Sequence, residues 1–319
     1  MTFLDLAISV RLGDFAIDAE ILCERGPLVI IGPSGAGKSA TLRAIAGLLR
    51  PSGGRIAVND RILFDSERGV DVPPQSRRVG YVPQEYALFP HLSAEGNVGF
   101  GLRGLAGEEK RRRVGEMLAL TGLEEQRSLK PRQLSGGQKQ RAALARALAV
   151  KPDVLLLDEP FAALDAPTRA TLLEDVLALI ATTGVASIFV THDRNEALRL
   201  AETVAVMMDG RIRQVGSPGE VFGSPADEDV AAFVGVETIT PGTVRSMEGG
   251  VAVMDVRGRS VEGAGEVRAG DAVLVCVRPE DVVLGPAGTA VGRTSARNHL
   301  AALVVRVAPS GPFLRVELD

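Results

Sequence analysis

The sequence predicts an α/β domain followed by a smaller all-β domain. Up to about residue 235, apolar runs of strand length alternate with helical patterns. A glycine-rich turn joins one such run to a helix, and beyond Gly235 the texture changes to short valine-rich runs broken by glycine. Taken in order, PLVII (27–31), VLLLDE (154–159) and ASIFVTH (186–192) are near-continuous apolar stretches. Strands of that kind are covered on both faces, so a largely parallel sheet is expected at the core. TLLEDVLALIA (171–181) places Leu172, Leu173, Val176, Leu179 and Ile180 at helical spacing and predicts an amphipathic helix. GTVRSMEGGVAVMDVRGRSVEG (242–263) and DAVLVCVRPEDVVL (271–284) read as a small antiparallel β domain. Pro225 and Pro241 bracket an expected connecting segment, which places the domains at 1–235 and 236–319.

Composition narrows the functional classes. With 319 residues, 45% hydrophobic and 24% charged, the chain can bury a large core. A net charge of −4 provides no global field for nucleic acid or anionic lipid, so no nucleic-acid partner is expected. The densest charged run, GEEKRRR (107–113), reads as a solvated helix face. Cys23 and Cys276 lie far apart without metal-ligand spacing, so both are expected buried and reduced, as in a cytosolic protein. The first residues lack a signal-peptide pattern, and no apolar run is long enough to span a bilayer. Work at a membrane would need another chain to supply the span.

GPSGAGKS (32–39) fits G-x-x-x-x-G-K-[ST]. It reads either as a tight strand-to-helix turn or as a phosphate cradle. Glycines let successive N–H groups turn inward around a polyphosphate. Gly32, Pro33, Ser34, Gly35, Ala36 and Gly37 would form that cradle. Lys38 would reach the β- and γ-phosphates of such a ligand, and the Ser39 hydroxyl would bind Mg²⁺. Thr41, in the first turn of the following helix, is placed with them. A second motif favours the cradle: VLLLDE ends in Asp158, suited to hold Mg²⁺ through water, and Glu159, suited to deprotonate an attacking water. A helix cap or a surface pair is the alternative for those carboxylates.

LSGGQKQRAALARAL (134–148), between these motifs, resembles the signature of ATP-binding cassette (ABC) ATPases. The resemblance implies a P-loop NTPase domain with a helical subdomain, and ATP and Mg²⁺ as its ligands. It also implies a head-to-tail dimer of two copies. Each γ-phosphate would lie between one glycine loop and the partner's signature residues, here Ser135, Gly136, Gly137 and Gln138. Within the family's order, Gln84 in GYVPQEY resembles the glutamine that senses Mg²⁺ and nucleotide. AALD (162–165), ending in Asp165, resembles the loop that crosses the dimer interface, and His192 resembles the switch histidine at the γ-phosphate. The aromatic that stacks on adenine has one candidate, Phe15, which reads equally as a strand core residue.

YALFPHLSAEGNVGFGL (86–102) resembles the groove of import ATPases that receives a permease helix. VRPEDVVL (277–284) is similar to their appended OB-like (TOBE) regulatory domain. The chain lacks the paired cassettes of translation factors and the long coiled coil of repair ATPases. These features imply integral membrane permease partners, an indirect substrate-binding protein, and a place at the cytoplasmic face of the cell membrane. TSARNHLAALVVRV (294–307) resembles the opening of the small Mop-like β module that binds molybdate and tungstate. There Thr294, Ser295, Ala296, Arg297 and Asn298 would hold a tetrahedral dianion. The module's later lysine has no counterpart, and FLRVELD stops short of the module's remainder, so the anion site is expected to be incomplete, lost or shared between subunits. Molybdate or tungstate is the expected cargo. Sulfate, phosphate, iron, a sugar or a polyamine is the alternative, and an oxyanion sensor or store is a further one.

Overall fold

A computed structural model describes the chain except residues 1, 25, 103, 237, 266, 278–280, 286–296 and 311–312. The chain divides into two compact units, Met1–Val234 and Gly235–Asp319.

The first unit opens with β1 (Leu4–Leu12) and β2 (Phe15–Cys23), then β3 (Leu28–Ile31) and α1 (Lys38–Ala46). β4 (Gly53–Val58), β5 (Arg61–Asp65), β6 (Val70–Asp71) and β7 (Val79–Val82) follow. A helical insertion, α2 (Ala94–Val98), α3 (Gly107–Leu120) and α4 (Gly136–Ala149), leads to β8 (Val154–Asp158). The unit closes with α5 (Ala166–Thr183), β9 (Ala186–Thr191), α6 (Arg194–Leu200), β10 (Thr203–Met208), β11 (Arg211–Gly216), α7 (Pro218–Gly223) and α8 (Glu228–Phe233). The segment read from sequence as a connection therefore carries α8, whose Val230 and Ala231 are buried.

Among the described residues these strands form one sheet in the order β6-β5-β4-β1-β2-β11-β10-β3-β9-β8-β7. It is mixed: the parallel core expected from sequence is present, and an antiparallel half that was not expected adjoins it. β7, β8, β9, β3 and β10 pair in parallel, whereas β1, β2, β4, β5 and β6 form an antiparallel meander. The reason lies in the burial patterns. β3 and β8 are buried at every position, while β1 and β2 alternate buried and exposed residues, as half-covered antiparallel strands do. The predicted helix is α5, which buries Leu172, Leu173, Val176 and Leu179. The charged run forms the first turns of α3, with Arg112 and Arg113 paired to Glu116. Among the described residues no helix is long and apolar enough to cross a membrane.

The second unit contains β12 (Thr238–Glu248), β13 (Val251–Val256), β14 (Arg259–Gly263) and β15 (Ala272–Val277), an antiparallel sheet ordered β14-β13-β12-β15. A separate hairpin is formed by β16 (Val304–Ser310) and β17 (Phe313–Leu318). The buried core of the four-stranded sheet is small, built on Val244 of β12 and Ala252 and Met254 of β13. Cys276 is exposed, contrary to expectation, because it faces outward on β15; Cys23 is buried.

Candidate functional site

The parallel strands β3, β8 and β9 run side by side, so their carboxyl ends deliver three loops to one place. The first is the glycine loop, leaving Ile31. A Cβ on Gly32 would lie 1.9 Å from the Met207 carbonyl oxygen, so the loop passes β10 where no side chain fits. Gly37 caps α1 with φ of +105°, and a Cβ there would meet Met207 Cε at 2.9 Å. Pro33, Ser34 and Gly35 form an exposed tip, and Ala36 is buried.

Lys38 is 4% exposed and curls back across its own loop. Its Nζ donates to Gly32 O at 2.9 Å and Pro33 O at 2.8 Å. Burial pulls its ammonium below the usual lysine range, against the opposing pull of Glu159 and Asp158. Thr41 is wholly buried, and its hydroxyl donates to Gly37 O at 3.1 Å. It therefore props the loop from the core side and does not line it.

The second loop follows β8. Asp158 is buried, and its two oxygens are divided. Ser39 Oγ donates to Oδ1 at 2.7 Å, and the Tyr81 hydroxyl donates to Oδ2 at 3.1 Å. Tyr81 is delivered by β7, whose register sets it opposite Leu156 on β8. Burial, followed by the Asp158 charge, pushes its phenol well above the ordinary tyrosine range. Glu159 takes a left-handed backbone, φ 44°, and its N–H donates to Val190 O at 2.9 Å. Such a conformation is costly for a residue with a side chain and persists only where its surroundings impose it. It turns the Glu159 carboxylate toward the third loop, where Oε2 lies 3.2 Å from His192 Nδ1.

Asp165 ends the loop after β8, Gln84 follows the neighbouring parallel strand β7, and the other predicted residues come from further segments of the first unit. Gln84 is exposed just beyond β7. Behind it, Tyr86 and Ala87 have φ of 62° and 44°. Their carbonyls accept from Arg146 of α4 at 2.9 and 2.6 Å. The same guanidinium lies 5.6 Å from the Phe89 ring centroid, and Phe89 packs on Phe100. Ser135 caps α4 in a reciprocal box: Gln138 N–H donates to its Oγ, and its own N–H donates to Gln138 Oε1. Gly136 and Gly137 approach the Leu164 and Thr168 side chains. Asp165 caps α5 by accepting from Thr168 N–H, and the Thr168 side chain, followed by that N–H, holds its carboxyl below the usual range. Among the described residues no hydrogen bond joins this turn to the glycine loop of the same chain. Phe15 is partly buried against the main core.

Of the expected oxyanion residues, Thr294, Ser295 and Ala296 lie outside the described residues. Arg297 is exposed, and the Asn298 amide is committed to β14, accepting from Glu262 N–H and donating to Glu262 O, both at 2.7 Å.

Ser39 and Asp158 suit Mg²⁺. They offer one hydroxyl and one carboxylate already in contact. Among the described residues no cluster of three or more metal-ligating His, Cys, Asp or Glu exists. A sparse oxygen set is what Mg²⁺ takes when water and phosphate supply its other ligands. Tyr81 and Arg146 were not found from sequence. Nothing marks the first except its place one strand over from Asp158, and nothing marks the second except its position late in the signature helix.

The ABC transporter family model matches residues 22–162. The chain is 41% identical to the molybdate/tungstate import ATP-binding protein WtpC of Pyrococcus abyssi, over 97% of this chain and 85% of that protein. It is 40% identical to the sulfate/thiosulfate import ATP-binding protein CysA of Xanthomonas campestris pv. campestris, over 99% of this chain and 87% of that protein. A dimeric ATP-binding cassette in a post-hydrolysis state, bound to ADP and Pi, aligns with a TM-score of 0.56 at 33% identity. That alignment covers 68% of this chain and 99% of the other.

Proposed function

The chain belongs to the ABC transporter family, among the ATP-hydrolysing subunits of import systems, and from that premise we propose how its residues divide the work. The observation that carries the reading is the convergence of Lys38, Ser39, Asp158, Glu159 and His192 at the ends of three adjacent strands.

The glycine loop, residues 32–37, wraps the phosphates of ATP with backbone N–H groups, and Lys38 binds the β- and γ-phosphates. Ser39, Asp158 and Gln84 are the residues that would hold Mg²⁺, which when bound offsets the phosphate charge. Glu159 takes a proton from the attacking water as the water oxygen bonds to the γ-phosphorus and the bond to ADP breaks. His192 steadies the γ-phosphate and is itself oriented by Glu159. Ser135, Gly136, Gly137 and Gln138 complete the site of a second copy, which Asp165 helps to join, so each nucleotide is enclosed only in the head-to-tail dimer.

Residues 1–235 form the ATPase domain and 236–319 a regulatory domain, with the subunit docked on a permease at the cytoplasmic face. The cargo is molybdate or tungstate, supported by the Pyrococcus relative and by the Thr294–Asn298 sequence. Sulfate is the second reading, favoured by the Xanthomonas relative.

Glu159→Gln tests the catalytic assignment. Hydrolysis should fall by about 10²–10⁴-fold, the contribution of a positioned base. ATP should still bind, and the closed dimer should accumulate. Light scattering that finds only monomer at saturating MgATP would overturn the shared site. ATP-driven uptake of labelled molybdate by vesicles holding the assembled transporter tests the cargo. Tungstate should compete and sulfate should not; competition by sulfate alone would assign the chain to sulfate.

A further inference from the structure

The guanidinium of Arg169, on the first turn of α5, bridges two loops. Its Nη2 donates to Leu164 O at 3.2 Å, and its Nη1 donates to Asp193 Oδ2 at 3.3 Å. Leu164 immediately precedes Asp165, and Asp193 immediately follows His192. The bridge is half-buried, with the two side chains 35% and 25% exposed. That sets it apart from a surface ion pair, whose contribution is usually small. Its acceptors are a carboxylate and a carbonyl fixed by the backbone, so both contacts are charge-assisted and directional.

Asp193 passes the constraint on. Its Oδ1 accepts from Asn195 N–H at 2.8 Å and Glu196 N–H at 3.3 Å, starting α6. Its own N–H donates to Thr191 Oγ1 at 3.0 Å, and the Thr191 hydroxyl donates in turn to the buried carboxylate of Glu196. The residues on both sides of His192 are thus tied down. Its imidazole is left facing Glu159 at 3.2 Å.

We propose that Arg169 is a positioning residue that fastens the 162–165 loop to the turn carrying His192, so that the two are set together. This rests on the reading above, in which that loop meets a second copy and His192 meets the γ-phosphate. Without the bridge, each loop would find its place independently, and the Glu159–His192 pair would lose its alignment. Small misplacements of that kind cost turnover while leaving the nucleotide-binding contacts intact.

The test uses the full chain with four substitutions: Arg169→Gln, Arg169→Lys, Asp193→Asn, and Arg169→Gln with Asp193→Asn. Asparagine keeps the cap of α6 and removes the charge that Arg169 engages. Arg169→Gln should lower kcat roughly ten- to a hundredfold, with KM for ATP within about twofold of wild type. Arg169→Lys should recover part of the loss, since it keeps the charge and gives up the fork. The double variant should be no slower than the worse single variant, because both remove one link. An unchanged kcat in Arg169→Gln, or single effects that multiply in the double variant, would overturn the proposal. If Arg169→Gln does not fold, Asp193→Asn carries the test: a kcat loss at unchanged KM supports the bridge, and wild-type kcat overturns it. Lys38→Ala is the control that separates the two readings. Hydrolysis surviving Lys38→Ala would sink the nucleotide site itself. Hydrolysis lost there but normal in Arg169→Gln would sink only the bridge.

Discussion

The glycine loop at residues 32–39 and the signature turn at 135–138 are both short, serine- and glycine-bearing, and both open a helix. Their glycines are there for different reasons. Gly32 and Gly37 satisfy the chain's own packing, since a Cβ at either would strike β10 or its Met207 side chain. Gly136 and Gly137 are first-turn helical residues behind a capping box; a Cβ on Gly136 would press on the Leu164 side chain at 3.0 Å, while one on Gly137 would meet Thr168 at an ordinary 3.5 Å. One loop is finished within the chain, with a buried lysine folded onto it. The other is closed by its own capping box and, among the described residues, spends no hydrogen bond on the glycine loop. At Gly137 internal packing leaves room for a side chain, so the turn's outer surface is open to whatever docks there. That difference supports reading the signature turn as half of a site shared with a second copy.

The largest effect should come from the finished loop. Lys38→Ala removes the buried ammonium folded onto that loop, and hydrolysis should drop by about 10²–10³-fold, as when a preorganised charge-stabilising donor is lost. A purified variant hydrolysing ATP at near wild-type rate would break the comparison at its root. Next comes the pair Gly37→Ala and Gly137→Ala, read by thermal melting and ATPase rate together. Gly37→Ala forces a side chain onto a left-handed backbone 2.9 Å from Met207 Cε, and should cost about 1–3 kcal/mol of stability. At Gly137 the added Cβ would meet Thr168 at an ordinary 3.5 Å. Melting should hold or rise, since alanine in a helix is favoured over glycine by roughly 0.5–1 kcal/mol. Hydrolysis by Gly137→Ala should nonetheless fall about tenfold, the cost of a modest misfit of 1–2 kcal/mol in a shared site. Equal melting losses for the two variants would show that the turns are alike after all. The smallest effect concerns Tyr81→Phe, which frees Asp158 Oδ2. The Mg²⁺ concentration for half-maximal activity should rise a few-fold, about 1 kcal/mol for one hydrogen bond. ATP binding measured without Mg²⁺ should stay put, and an unchanged Mg²⁺ requirement would remove Tyr81 from the site.

Legibility from sequence followed the range of the interaction. β3, β8 and β9 were visible because strands buried on both faces write continuous apolar runs, and the start of α4 was placed through the signature resemblance, its Ser-x-x-Gln capping box going unread. The antiparallel half of the sheet was missed although its signal exists: β1 and β2 alternate through LDLAISVRL and FAIDAEILC, a pattern that continuous-run reading passes over. Ser39 and Asp158 touch across 119 residues. No periodicity connects them, and only the resemblance brought them together. Tyr81, Arg146 and Arg169 left no mark, because each acts through strand register or helix packing, which come into being only when the sheet is assembled. Cys276 misled for a similar reason: which face of a short apolar strand is covered depends on how the small sheet is assembled, and on β15 Cys276 lies on the exposed one.

The tight passage of Gly32 beside Met207 O also bears on what this chain can become by mutational drift. At Gly35, three residues on, an added Cβ would meet nothing within 4 Å. Asparagine or aspartate, which tolerate positive φ, could settle there at modest strain. Position 32 has no such neighbour in sequence space. Every side chain begins with the same carbon, so no substitution is small enough, and β10 would have to retreat first. β10 is held by β3 over Thr203–Val206 and by β11 over Val204–Met208, so that retreat would pull on the strand pairings at either side. Gly32 is therefore frozen by a backbone oxygen, independently of any nucleotide, and would stay frozen in a descendant that had lost hydrolysis altogether.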